Sequence, residues 1–321
     1  MRVKYNTLSQ VIGMNNNTIQ LPRNSIHDAY ILRFSMHFLN ETSQPITPTI
    51  KESLRSITEI NVTSDSIRTH YNINGYDGAL LGARIQKCQT SNYILDKVLP
   101  TVQPDGTLEL DFTLYLDEGD IVAAAHNNLE LRVLFADTTS EGLRQINSSC
   151  TVTIIERICT TAELYARYGG KDLIATAEPK VTGFDCDVPA SSEFTGFFEL
   201  QPGCLLCGAV VEFANARNIM PSQIGLLRTV PDRVELAKAD YETMRAINEV
   251  AYQTKFPEGI AVMNYGTQWQ DNGVGKDGWS FSKGDILFAA KTTEPTKARY
   301  ITIEKMVNIP LYKSQFKFTE Y

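Results

Sequence analysis

Cys204-Leu-Leu-Cys207 is the first spacing in this sequence that could do chemistry, because two thiols three residues apart can hold zinc or cycle through a disulfide. The pair opens an apolar run, residues 204–211, that reads as a strand. On a strand, residues i and i+3 point to opposite faces, and no second CxxC completes a set of four ligands. Packing is therefore its expected role. The four histidines, His27, His37, His70 and His126, include no HxH pair, so the clustered imidazoles and carboxylate of a cupin-type metal enzyme are not expected. His37 falls on the polar face of its strand and reads as a solvated surface residue.

The loop DNGVGKDG (271–278) brings Asp271, Asn272 and Asp277 among glycines, a composition that suits calcium. Its spacing misses the DxDxDG pattern, so a glycine-rich surface turn is the expected reading. Trp269 and Trp279 flank that loop, the arrangement a carbohydrate- or receptor-binding β-sandwich would use; packing at strand ends is the plainer role. Sequons at Asn16, Asn40, Asn61 and Asn147 matter only in a secreted protein. The chain has no GxxxxGK[ST], HExxH or GxSxG. No catalytic residue, metal ligand or cofactor is expected, and no enzyme.

The elements that would position such residues are mostly strands. LELDFTLYL (108–116) alternates without a break, with Leu108, Leu110, Phe112, Leu114 and Leu116 on one face. YILRFSMHFL (30–39) does the same through Tyr30, Leu32, Phe34, Met36 and Phe38. LELRVLF, TVTIIERI, FTGFFEL, AVVEF and ARYITIEKM follow the same pattern. Period two with one wet face predicts antiparallel sheets packed on a single side. Helices are expected from Asp77 and Asp240, each read as an N-cap, with apolar stripes Leu81/Ile85/Cys88 and Met244/Ile247/Ala251.

The sequence also repeats itself. GDIVAAA (119–125) and GDILFAA (284–290) share five of seven residues. SITEINVTSDSI (56–67) falls on QIGLLRTVPDRV (223–234), QLPRNS on DVPASS, and LELRVLF (129–135) on YITIEKM (300–306), all at nearly constant separation. A mostly-strand repeat of this length exceeds an immunoglobulin-type sandwich and fits an eight-stranded jelly roll. The expected fold is all-β: two tandem eight-stranded jelly rolls with short inserted helices. An N-terminal arm (1–16) precedes the first roll (17–165); the second roll (166–310) and a C-terminal tail (311–321) follow. KDLIATAEPKVTGF (171–184) would carry the crossing between rolls.

Composition sets the outer limits. Of 321 residues, 43% are hydrophobic and 21% charged, the balance of a folded domain rather than a disordered chain. A net charge of −7 provides no general basic field for holding nucleic acid, so direct binding of nucleic acid is not expected. The run 204–211 falls far short of the roughly 20 residues of a membrane-spanning helix. MRVKYNTLSQVIGMNNN lacks the apolar core of a secretion signal and reads as a polar arm that stays on the protein. Six cysteines are too sparse for a disulfide scaffold, which suits folding in a reducing cytoplasm.

LPRNSIHDAYILRFSMHF (21–38), SITEINVTSDSIRTHYNINGYDGALLGARI (56–85) and the second-half VPASSEFTGFFEL and IGLLRTVPDRVEL resemble the double jelly-roll major capsid proteins of tailless icosahedral viruses, the adenovirus and tectivirus lineage. The likeness spans roughly residues 17–310, and the short loops resemble the small capsid proteins of bacterial and archaeal viruses most. It implies a homotrimer in which six rolls make a pseudo-hexagonal tile of the virion shell, made and folded in host cytoplasm. The partners it implies are neighbouring capsomers, penton or minor capsid proteins and an internal membrane. The short, weakly basic arm departs from the family's membrane-anchored members. Assembly contacts are expected outside the repeat, from Arg2 and Lys4 in the arm and from Tyr312, Lys313, Phe316, Lys317 and Phe318 in the tail.

Overall fold

The computed structural model describes residues 2–84, 98–158, 162, 173–200, 204–214, 221–229, 232–252, 256, 258–264 and 286–312. The chain forms two compact units, Met1–Val181 with Val307–Tyr321, and Thr182–Met306.

The first unit is built from strands β1 (Arg2–Thr7), β2 (Ile12–Gly13), β3 (Thr18–Gln20), β4 (Ile26–Leu39), β5 (Ile57–Ser64), β6 (Arg68–Ile73), β7 (Thr107–Leu116), β8 (Leu129–Phe135), β9 (Arg144–Gln145) and β10 (Ser149–Ile158). Helix α1 (Ile50–Arg55) precedes β5, and α2 (Gly75–Arg84) joins β6 to β7. One sheet has the order β1-β10-β4-β7, and the other runs β3-β8-β5-β6. Strand β4 is central because both its neighbours match its alternation, Tyr30 opposite Leu116 and Phe34 opposite Phe112 on one side, Leu32 opposite Val152 on the other. Tyr30, Leu32, Phe34, Met36 and Phe38 are all at most 2% exposed, as the period-two pattern requires.

The second unit uses β11 (Leu173–Val188), β12 (Ser191–Glu199), β13 (Leu205–Phe213), β14 (Gln223–Arg228), β15 (Val234–Asp240), β16 (Ile260–Asn264), β17 (Ile286–Thr292) and β18 (Thr296–Tyr312), with helix α3 (Tyr241–Tyr252) between β15 and β16. Residues of β11 up to Val181 and of β18 from Val307 belong to the first unit. The sheets are β16-β13-β18-β11 and β12-β17-β14-β15. Between them lies an aromatic core in which Phe288 and Tyr300 approach to 4.3 Å and Phe184 stacks on Phe198 at 4.5 Å. Full burial of each such ring stabilises by about 1.5–3 kcal/mol.

With the two-residue strands β2 and β9 set aside, both units obey one order. The first strand pairs with the eighth, the eighth with the third and the third with the sixth; the second pairs with the seventh, the seventh with the fourth and the fourth with the fifth. A helix stands between fifth and sixth strands in both units. This is the double jelly roll, all-β with short inserted helices.

The strand order corrects several expectations. β5 and β14 are both fourth strands, so SITEINV and QIGLLR are true equivalents. LELRVLF is a seventh strand, whereas YITIEKM lies in an eighth; QLPRNS joins the second strand to the third, whereas DVPASS joins the first to the second. Unequal loops moved these pairs out of register. Residues 2–7, expected as an arm, form the outer strand of their sheet, pairing Arg2 with Ile158 through Thr7 with Thr153. KDLIATAEPKVTGF (171–184), expected to carry the crossing between rolls, does hold the boundary of the two units, between Val181 and Thr182; from Leu173 it belongs to one strand that runs through Pro179.

The helix expectations need correction too. Asp77 lies in the first turn of α2, and Asn74 is the capping residue: Asn74 Oδ1 accepts from Asp77 N–H at 2.8 Å, and Asp77 Oδ2 accepts from Asn74 N–H at 2.9 Å. Asp240 does cap α3, accepting from Thr243 N–H at 2.8 Å. The inner face of α3 is Tyr241, Met244 and Asn248, while Ile247 is 53% exposed. Asn248 faces inward because its amide bonds both Val262 N–H and Val262 O at 2.8 Å, the pairing a neighbouring strand would give β16.

Candidate functional site

Three of the four histidines converge in the first unit. His70 sits on β6, His126 follows a single 3-10 turn (Ala123–Ala125), and Glu178 comes from β11 before Val181. Their ligand atoms lie within 4.8 Å of one another, and all three residues are buried. His27, on β4, is buried nearby with Nδ1 2.9 Å from Tyr30 Oη.

The loop GDIVAAA holds this cluster in place. Gly119 takes φ +144 beside the Pro179 ring, a conformation open to glycine, and Asp120 pairs with Arg157 at 3.5 Å. Arg157 also reaches Asp28 at 2.6 Å. Ile121 exchanges backbone hydrogen bonds with His27, and Val122 N–H donates to Glu178 Oε1 at 3.1 Å. The β5–β6 hairpin turns at Asp65 and Ser66, with φ of 52 and 58, the left-handed pair of a type I′ turn. Asp65 is thereby aimed at the loop after the 3-10 turn, accepting from Asn127 N–H at 2.7 Å and Asn128 N–H at 3.2 Å.

His126 bridges two carboxylates. Its Nε2 donates to Glu178 Oε1 at 3.0 Å and its Nδ1 to Asp65 Oδ2 at 3.0 Å. Two acceptor-only partners require both ring nitrogens to carry protons, so His126 is an imidazolium. Burial opposes that charge, but the hydrogen bonds and charges of Glu178 and Asp65 prevail and raise its pKa above the ordinary value. Burial likewise pushes Glu178 up, and His126, His70 and the Val122 N–H together hold it below the usual carboxylate range. Asp65 is held low in the same way, burial being outweighed by His126, Asn127 and Asn128.

His70 is neutral. Burial lowers its pKa, opposed by Glu178 and aided by His126. Its Nδ1–H donates to the Pro179 carbonyl at 3.3 Å, which leaves Nε2 as an acceptor for the Ser64 hydroxyl at 2.8 Å. His27 is pushed down to about 3 by burial. The site is thus one cation among two carboxylates, flanked by two neutral imidazoles.

Sequence reasoning missed this cluster. His27 and His70 fall at buried positions of two strands from different sheets, and only the strand order brings them to His126. The usable signal was histidine at an inward-facing strand position, as in the pattern around His70-Tyr71. The expected surface residue, His37, is indeed partly exposed, 3.5 Å from Glu109. Cys207 is buried at the start of β13 and Cys204 half-buried. Burial pushes the Cys150 and Cys186 thiols up to about 12. Arg2 and Lys4 are exposed on β1, which among the described residues pairs on one edge, with β10. Tyr312 ends β18; Lys313, Phe316, Lys317, Phe318, both tryptophans and the loop 271–278 lie outside the described residues.

No family model matches the chain, and no curated protein matches it. Solved structures do. The major capsid protein of STIV, the Sulfolobus Turreted Icosahedral Virus, superposes with a TM-score of 0.78 at 21% identity, over 95% of this chain and 97% of that one. The capsid of PBCV-1 gives 0.63 at 8% identity, over 99% and 97%. The major capsid protein P2 of bacteriophage PM2 gives 0.56 at 10% identity, over 95% and 98%. At these identities the likeness establishes the fold, the double jelly roll of viral major capsid proteins.

Proposed function

We propose that this chain is a major capsid protein whose trimers form pseudo-hexagonal capsomers tiling an icosahedral virion shell, with no catalysis. The observation that carries this reading is one chain holding two eight-stranded rolls of identical strand order but different loops. Three such chains supply six similar units, so a near-hexagonal tile follows from one gene product. Solved structures with the same fold over nearly their whole length are capsid proteins, which supports the same reading.

The partners are two further copies of the chain, neighbouring capsomers, penton or minor capsid proteins and an internal membrane; the place is the virion, after folding in host cytoplasm. Arg2 and Lys4, exposed on the outer strand β1, and the tail residues Tyr312, Lys313, Phe316, Lys317 and Phe318 are the assembly contacts. Sedimentation and electron microscopy of the purified protein test the proposal. A trimer of hexagonal outline is expected, and a stable monomer at micromolar concentration would overturn it. Deleting residues 313–321 is expected to leave the trimer folded and to block shell formation.

A further inference from the structure

From the His70–His126–Glu178 cluster we infer that the first roll binds one divalent transition-metal ion of the zinc class, a structural site buried between its two sheets. Three features of the arrangement carry this.

The first is the donor set. Two imidazoles and one carboxylate are the nitrogen and oxygen ligands zinc takes at about 2.0–2.2 Å, which at tetrahedral angles places ligand atoms roughly 3.3–3.6 Å apart. His126 Nε2 lies 3.0 Å from Glu178 Oε1 and 3.1 Å from Oε2, and His70 Nε2 lies 4.0 Å from Oε2. All three ligand atoms lie within 4.8 Å of one another, so shifts of up to about an ångström bring them to ligand spacing. Ser64 Oγ, 2.8 Å from His70 Nε2, turns aside or supplies a fourth oxygen.

The second is how each ring is held. A metal-bound histidine almost always donates its other N–H to a carboxylate or backbone carbonyl, which fixes the tautomer and aims the ligating nitrogen. Both rings are held this way: His126 Nδ1 donates to Asp65 Oδ2 at 3.0 Å, and His70 Nδ1 to Pro179 O at 3.3 Å. That leaves both Nε2 atoms on the Glu178 side, His126 Nε2 bonded to the carboxylate at 3.0 Å and His70 Nε2, which takes the Ser64 hydroxyl, 4.0 Å from it. A simple buried ion pair needs only one ring so oriented.

The third is charge. Without a metal, the His126 imidazolium faces the Glu178 and Asp65 carboxylates, one positive against two negative charges. Binding replaces the Nε2 proton of His126 with a dication and leaves the proton on Nδ1, still donating to the Asp65 carboxylate. One proton is released and the site becomes neutral, the arrangement a low-dielectric interior favours.

Full-length protein stripped with chelator and titrated with Zn2+ tests this, with Co2+ as the spectroscopic probe. One ion per chain, release of one proton and a raised melting temperature are expected. His70→Gln and Glu178→Gln should each weaken binding at least tenfold. Asp65→Asn, which replaces the oxygen that orients His126 and keeps Oδ1 for the Asn127 and Asn128 N–H groups, should weaken it about 10–100-fold. His37→Gln and the double variant Cys204→Ser/Cys207→Ser should bind as wild type does. The inference is overturned if wild type takes up no stoichiometric metal. It is equally overturned if metal persists in His70→Gln and Glu178→Gln, or disappears with the cysteines. Should the core variants not fold, Asp65→Asn and the wild-type Co2+ spectrum decide: a tetrahedral nitrogen–oxygen spectrum without thiolate charge transfer supports the site, and its absence rejects it. Capsid assembly does not enter these readouts, so failure here leaves the proposed function standing.

Discussion

His126 Nε2 donates to Glu178 Oε1 at 3.0 Å across 52 residues of sequence, and both side chains are 1% exposed. Removing one partner of such a pair leaves an uncompensated charge in the interior. His126→Leu is therefore expected to destabilise the protein by about 3–5 kcal/mol, measured by urea denaturation in chelator. A loss under about 1 kcal/mol would show that water already reaches Glu178.

Stability should peak near pH 6.5. His27 and His70 are held neutral in the fold, so each contributes stability above the ordinary histidine pKa that is lost as pH falls. His126 runs the other way: its contribution is complete below its unfolded pKa and is lost as pH rises through its raised folded value. Below about pH 5.5, where a free imidazole is almost fully protonated, the unfolded chain binds one more proton at His27 than the fold does, an acid-side slope of about 1.4 kcal/mol per pH unit from this group, and His70 steepens it in the same direction. His27→Phe should remove the His27 part of that slope, about 1.4 kcal/mol per pH unit. Denaturation curves for both proteins between pH 4.5 and 8.5 check this, and parallel profiles would contradict it.

Ser66 takes φ 58 at the tip of the β5–β6 hairpin, with its side chain exposed. The left-handed conformation strains any residue with a Cβ by roughly 1–2 kcal/mol, of which glycine's greater freedom in the unfolded chain offsets part. Ser66→Gly is expected to raise stability by about 0.5–1 kcal/mol without moving Asp65. Loss of stability on that substitution would mean the serine hydroxyl holds the turn.

Gly75 opens α2 where it meets α1. A Cβ there would stand 2.4 Å from Leu54 O and 2.8 Å from the Ile57 side chain, and the backbone carbonyl has no room to yield. Gly75→Ala should cost about 1–3 kcal/mol, although alanine is the better helix former. An unchanged melting temperature would show that α2 can slide on α1.

The fold was legible where a strand has one wet and one dry face. β4 and β7 showed their inward residues directly, and the fourth-strand pair β5 and β14 showed the duplication. Strand β1 was not legible because its alternation is short and its apolar face is not buried: Val3 and Tyr5 are 59% and 69% exposed, and backbone pairing with β10, with Asn6–Glu156 and Thr7–Thr153 side-chain bonds, fixes it. The crossing at β11 was legible but its continuity as a strand was not, because Pro179 suggests a break, although proline removes only a donor and its carbonyl still accepts from His70. The candidate site was hidden for a related reason. His70, His126 and Glu178 belong to three separate stretches whose meeting depends on strand order, which no local spacing encodes.

The pairing of first strand with eighth has a consequence for synthesis. Arg2–Thr7 leaves the ribosome long before its partner Ser149–Ile158, and at about 5–20 residues per second it waits on the order of 10–30 s with its hydrogen-bonding edge open. An apolar strand in that position would recruit other nascent chains. Arg2, Lys4 and Asn6 make β1 soluble while it waits. The polar character that disguised this strand as an arm is what lets the roll close last without aggregating first.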